Sequence, residues 1–140
     1  MREALLSQLI RHEGLKLQPY YDTVGKLTIG IGRNLDDYGI TKEEAMYLCK
    51  NNIVQCIAEL EASLPWFNTL DEVRKDVLIN MDFNLGIVGL LKFKNTLKLI
   101  EEGKYIDASY QMLSSKWSKQ VGKRAIELSD QMRTGKRKEV

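Results

Sequence analysis

HEGLKLQPYYDTVGKLTIGIGR, residues His12–Arg33, is the stretch on which the reading of this chain turns. Within it the periodicity changes. Upstream, residues 2–12 place Leu5, Leu6, Leu9 and Ile10 on one stripe, the pattern of an amphipathic helix. Gly14 breaks that pattern. From Leu15 to Ile31 apolar and polar residues alternate, and Leu17, Tyr20, Tyr21, Leu27, Thr28, Ile29 and Ile31 favour strands. Thr23-Val24-Gly25-Lys26 is a turn signal between them. Pro19 cannot donate to a strand ladder, so it belongs at an edge or at a strand start. A helix followed by a Gly-punctuated antiparallel hairpin is predicted.

Beyond the hairpin, Asn34–Gly39 reads as a polar loop with room for a third short strand. Thr41-Lys42-Glu43-Glu44 is a capping box, in which the Thr41 hydroxyl takes an amide near Glu44 and the Glu44 carboxylate reaches back. The helix that follows carries Ala45, Leu48, Cys49, Ile53, Cys56, Ile57 and Leu60 on one stripe. It runs for about 20 residues, near 30 Å, and Pro65 bars its continuation. From Asp71 onward helical patterns dominate, with Asp71-Glu72 suited to a first turn. Val73, Val77, Leu78 and Met81 form an apolar face, Gly86 and Gly89 mark a break, and further helices are expected over 90–101, 105–114 and 122–132. The fold class is α+β, a single domain over residues 1–140. A β-rich lobe of about 13–40 and a connecting helix of about 41–62 lead to a helical lobe of about 65–135, which also takes in helix 2–12.

Composition supports one globular unit: 140 residues, 44% of them hydrophobic. Lys and Arg number 21 against 19 Asp and Glu, a net charge of +2. That balance does not point to nucleic acid, and the dispersed basic residues form no stripe. The basic run Arg133, Lys136, Arg137 and Lys138 reads as a solvated tail with some attraction for anionic polymers. No apolar run approaches the roughly 20 residues of a membrane span. The N-terminus lacks the apolar core and cleavage site of a signal peptide. Cys49 and Cys56 lie two helical turns apart, roughly 10 Å, too far for a mutual disulfide. They read as two small buried side chains. With His12 the sole histidine and no further Cys, no metal site is expected.

Taken singly, the polar residues of the deciding stretch are unremarkable. Glu13 suits an exposed helix end, Asp22 a turn, Thr28 a strand. Together they put one carboxyl group at a helix terminus and a second on a hairpin, beside a hydroxyl. Two carboxyl groups are what glycoside hydrolysis requires: an acid for the leaving oxygen and a carboxylate for the opposite sugar face.

The string E-G-L-x-L-x-x-Y-x-D-T-x-G-x-x-T-I-G-I-G, Glu13 to Gly32, resembles the phage-type lysozymes, the muramidases of the endolysin class. Glu13, Asp22 nine residues on and Thr28 six beyond reproduce that family's signature without a gap. The resemblance continues through Asn80-Met81-Asp82-Phe83-Asn84-Leu85-Gly86, Phe93-Lys94-Asn95-Thr96-Leu97, Ser115-Lys116-Trp117, Lys123-Arg124-Ala125 and Met132-Arg133-Thr134-Gly135, nearly the whole chain. Departures are Arg33, where relatives often have His, and Asp82, where an apolar residue is usual. The loop 34–39 is short, and little chain follows Gly135.

The resemblance implies a lysozyme-like fold and peptidoglycan as substrate, cut at the β-1,4 bond between N-acetylmuramic acid and N-acetylglucosamine. It implies Glu13 as general acid, and Asp22 with Thr28 serving a water on the other face. A placed water argues for inversion, which needs carboxyl groups roughly 6.5–9.5 Å apart against about 5 Å for retention. Arg124 matches the family arginine near the acid and is expected to fix its position. Phe83, Asn84, Thr96 and Gln111 are candidates for gripping sugar, although Phe83 also suits a core, and Thr96 and Gln111 a helix surface. Trp66 and Trp117 suit packing at helix junctions. No cofactor or metal is required. A monomer is expected, held in the cytoplasm of an infected bacterium until a separate pore-forming protein, a holin, lets it reach the wall in the periplasm. Competing readings are a lytic transglycosylase, which needs no placed water, and a non-catalytic peptidoglycan-binding module.

Overall fold

The computed structural model describes residues 2–138. The chain is α+β and separates into two compact units, Met1–Leu48 and Cys49–Val140.

The first unit opens with α1 (Glu3–Glu13). Gly14, at φ 78°, ends it while its amide still bonds the Ile10 carbonyl at 2.8 Å. The apolar stripe of α1 stays open: Leu5, Leu6, Leu9 and Ile10 are all exposed. Three antiparallel strands follow, β1 (Lys16–Tyr21), β2 (Leu27–Gly30) and β3 (Arg33–Asn34), in the order β1-β2-β3. Tyr20 pairs with Thr28 and Tyr21 with Leu27, but Lys16 pairs with Gly30, so the register shifts between Lys16 and Tyr20. Pro19 lies in that irregular stretch of an edge strand, where its missing N–H costs no ladder bond.

The loop expected over 34–39 is instead a short helix, α2 (Leu35–Tyr38). Asn34 starts it by accepting the Asp37 amide at 2.9 Å, a local bond that outweighs the weak strand signal. The third strand is correspondingly short and begins at Arg33. The capping box forms as the sequence predicts: the Glu44 amide donates to Thr41 Oγ1 at 3.1 Å, and the Thr41 amide donates to Glu44 Oε1 at 2.8 Å. It starts α3 (Lys42–Ser63).

The second unit takes the rest of α3, a 3-10 turn at Phe67–Thr69, and α4 (Glu72–Leu91). Next come α5 (Lys94–Glu101), α6 (Tyr105–Leu113), α7 (Lys116–Val121) and α8 (Lys123–Thr134). Asp71 caps α4 through the Arg74 amide at 3.1 Å, a cap worth about 1 kcal/mol. Gly86, at φ 78° and ψ 159°, kinks α4, but the helix resumes through Gly89. The helix predicted over 90–101 therefore starts only at Lys94. The separate helix α7 went unpredicted; Ser115 caps it by accepting the Ser118 amide, and Gly122 ends it.

The core of this unit contains Leu60, Phe67, Leu78, Met81, Leu90, Ile100, Met112 and Met132, all at most 1% exposed. Each such side chain contributes about 1.5–3 kcal/mol. Trp117 joins them edge-on to Phe93, with ring centres 6.1 Å apart, and Trp66 packs against them half-buried. Arg74 ties the start of α4 to α6 and to the end of α8. Its guanidinium lies 3.7 Å over the Tyr105 ring and donates to the carbonyls of Met132 and Arg133, which the end of α8 leaves unsatisfied. The two cysteines differ from expectation. Cys56 is buried and Cys49 is exposed, because packing covers α3 only around Cys56 and Leu60. No described helix is long and apolar enough to cross a membrane.

Candidate active site

Glu13, Asp22 and Thr28 all fall within the first unit. Glu13 is the last residue of α1 and is exposed. Its carboxyl group rests against the backbone of Gly32. A methyl group on Gly32 would stand 2.8 Å from Glu13 Oε2 and 3.0 Å from its Cγ and Cδ. Gly32 therefore leaves room for the Glu13 carboxyl group, and its φ of +69° is itself a conformation that L side chains rarely adopt.

The turn after β1 fixes Asp22. Its Oδ1 accepts the amides of Val24 at 3.0 Å and Lys26 at 2.8 Å. Its main chain bonds Lys26 and Gly25 in the same turn. Thr28 is 3% exposed, and its hydroxyl donates to the Lys26 carbonyl at 2.9 Å. Lys26 thus links the two: its amide holds the Asp22 carboxylate and its carbonyl holds the Thr28 hydroxyl. With that proton committed, Thr28 Oγ1 meets any further partner as an acceptor.

Polar bonds brace the rest of the sheet. The Leu27 amide donates to Asp36 at 2.7 Å, and Lys26 Nζ pairs with Asp37 at 3.0 Å. Arg33 pairs with Glu44 at 2.6 Å and donates to the Gly39 carbonyl. The Arg33 guanidinium and then the Thr41 amide draw the Glu44 carboxyl down to about 2. Arg33 is one of the two departures by residue type named in the sequence, and it serves here as a brace between β3 and the start of α3.

The remaining candidates belong to the second unit and divide into two groups. Thr96 and Gln111 line one groove of about 580 Å³, with Phe93, Asn95 and Trp117. Asn84 is bound to that group, since its Oδ1 accepts the Trp117 indole N–H at 2.8 Å. Phe83 and Arg124 line another groove, of about 630 Å³, with Asn80 and Gln131. There Arg124 donates through Nε and Nη2 to Asn80 Oδ1, at 2.9 and 2.7 Å.

Two alternatives weighed in the sequence are corrected. Phe83 is not core but 45% exposed, and Thr96 is not helix surface but 5% exposed. The phase of α4 explains the first: Leu78, Met81 and Asp82 face inward, which turns Phe83 outward and takes a carboxylate inside.

Asp82 is 2% exposed, and neither of its oxygens has a hydrogen-bond partner among the described residues. Burial raises its carboxyl above the ordinary carboxylate range, and nearby Glu59 adds to the effect. Cys56 and Glu59 of α3 lie beside it, and burial with the Asp82 charge pushes the Cys56 thiol up to about 11. Spacing could not reveal this cluster, because Asp82 comes from another helix. Gly32, Asn80 and Lys26 stand within the motifs of the sequence, but their spacing assigns them no contact with a candidate residue. Only the Gly30-Ile31-Gly32 pattern hinted at a close approach of backbone to a side chain.

The phage lysozyme family matches the chain over residues 10–135. The chain is 32% identical to probable T4-type lysozyme 2 of Dictyostelium discoideum, over 99% of both proteins. It is also 32% identical to probable T4-type lysozyme 1 of the same organism, over 96% of both. Similarity extends to the pre-baseplate central spike protein Gp5 of Enterobacteria phage T4, at 26% identity over 94% of this chain and 28% of that protein. With its hairpin signature intact and nearly its full length matched, this chain belongs to the phage lysozyme family.

Proposed function

We propose that the protein is a lysozyme-type glycoside hydrolase of peptidoglycan. It cuts the β-1,4 bond between N-acetylmuramic acid and N-acetylglucosamine with inversion. Glu13 donates its proton to the glycosidic oxygen as the bond to the anomeric carbon breaks. A water attacks that carbon from the opposite face and passes its proton to the Asp22 carboxylate. Thr28 Oγ1 accepts a hydrogen bond from the same water and so orients it. The product has a muramic acid reducing end of inverted configuration. Phe83, Asn84, Thr96 and Gln111 supply sugar contacts, and Arg124 orders the Asn80 side chain beside Phe83.

One observation carries this reading. Asp22 and Thr28 are fixed on a single residue, Lys26, with the hydroxyl left as an acceptor. A carboxylate and an acceptor anchored on the same residue suit a water with two protons to place. A direct attack by Asp22 would leave Thr28 without a role, and a transglycosylase would need neither. The biological role that fits is an endolysin. A monomer accumulates in the cytoplasm of an infected bacterium and reaches the wall once a separate holin opens the membrane.

Glu13→Gln tests the assignment on purified walls. Turnover should fall by about 10²–10⁴-fold, with an unchanged circular dichroism spectrum. Near-normal activity of this variant contradicts it. Anhydro-muramic ends among the wild-type products would replace hydrolysis by transglycosylation.

A further inference from the structure

Asp82 stands in the core position of α4 with both oxygens unpartnered. An isolated buried carboxylate is among the least favourable groups a core can contain. It also lies within reach of two other ligand types. Cys56 and Glu59, three apart on α3, share a helical face. One ligand atom from each of Cys56, Glu59 and Asp82 falls within 4.8 Å of the others.

We propose that Cys56, Glu59 and Asp82 form a binding site for a zinc-type divalent cation that clamps α3 to α4. The donor set decides the ion. A thiolate with two carboxylates suits Zn²⁺, which takes sulfur at about 2.3 Å and carboxylate oxygen at about 2.0–2.2 Å. Ca²⁺ and Mg²⁺ require more oxygen ligands than the cluster supplies. Tetrahedral coordination at those lengths sets the donor atoms about 3.4–3.6 Å apart, so side-chain rotation within the cluster can close it. Three protein ligands leave the fourth position to water. Glu59 is half-buried and its two partners are buried, so solvent reaches the cluster from the Glu59 side. Binding releases the Cys56 proton to solvent, and the cation then offsets two of the three negative charges that the apolar surroundings disfavour. The site is independent of Glu13, Asp22 and Thr28, so its role is to stabilise the second unit.

The test uses the purified full chain, stripped with chelator and titrated with Co²⁺ as a spectroscopic stand-in for Zn²⁺. The expected result is one equivalent bound, with visible bands of tetrahedral cobalt and a thiolate-to-cobalt charge-transfer band that Zn²⁺ abolishes. The band should vanish in Cys56→Ala and in Asp82→Val and persist in Cys49→Ala. Zn²⁺ should raise the melting temperature of the wild type and leave that of Asp82→Val unchanged. The proposal fails if no charge-transfer band appears, if the band follows Cys49, or if Zn²⁺ stabilises Asp82→Val as much as the wild type. It fails equally if infrared spectra show a protonated Asp82 carboxyl in the presence of excess Zn²⁺.

Discussion

Gly32→Ala, compared with Gly30→Ala, isolates the room left for the Glu13 carboxyl group from backbone strain. The two glycines have nearly the same φ, +69° and +70°, but a methyl group on Gly30 meets nothing within 4 Å. Holding alanine in a left-handed conformation costs about 1–2 kcal/mol, and the stiffer unfolded chain offsets about 0.4–1 kcal/mol. Both variants should therefore lose a similar 0–1.6 kcal/mol or so of stability. At Gly32 the methyl group adds contacts of 2.8 Å to Glu13 Oε2 and 3.0 Å to Cγ. Ordinary contact distances then force the carboxyl group to retreat by at least about 0.6 Å. For the acid role proposed for Glu13, a misplacement on the order of 1 Å costs about 10²-fold in rate. Clearing of chloroform-treated Gram-negative cells and of purified walls measures the rate, and thermal melts measure stability. The expected outcome is similar melting temperatures, with Gly32→Ala about 100-fold slower and Gly30→Ala within a few-fold of wild type. Equal activity in the two variants would refute the idea that Gly32 positions the acid.

In metal-free buffer, Asp82→Val should stabilise the protein by about 1–3 kcal/mol, the cost of a buried polar group without partners. Because burial raises the folded-state pKa of Asp82 above its ordinary 3.8, the penalty grows as pH rises through the folded value. The gain should therefore be largest near neutrality and fade below about 3.8; melts across pH that show a loss at neutrality would contradict this. Glu44 has the opposite sign. Its carboxyl is drawn from 4.5 to about 2, so its contribution is complete above about 4.5 and disappears as pH falls towards 2. Glu44→Gln should flatten that part of the acid-stability curve, and an unchanged curve would count against the Arg33 brace. Asn84→Ala leaves the Trp117 indole N–H, in a residue only 3% exposed, without its acceptor. Denaturant melts should show a loss of about 1–3 kcal/mol, and a double-mutant cycle with Trp117→Phe should show strong coupling.

The sequence by itself determined whatever depends on neighbours along the chain. The capping box of Thr41 and Glu44, the Asp22–Lys26 turn, the stop at Gly14 and the change of period at Leu15 are each settled within a few residues. Short-range hydrogen bonds and backbone preference need no distant partner, so they can be read from order alone. The short helix α2 escaped for the same reason in reverse: its one capping bond was hidden among strand-compatible residues. Tertiary structure alone decided which way each helix turned. Phe83 faces solvent, Asp82 faces the core, Thr96 is covered and Cys49 is not, because burial depends on which surface another element covers rather than on residue type. Long-range packing also put Gly32 under Glu13, and Asp82 beside Cys56 and Glu59. Separations of roughly 20 residues carry no periodic signal, and only folding converts them into contact.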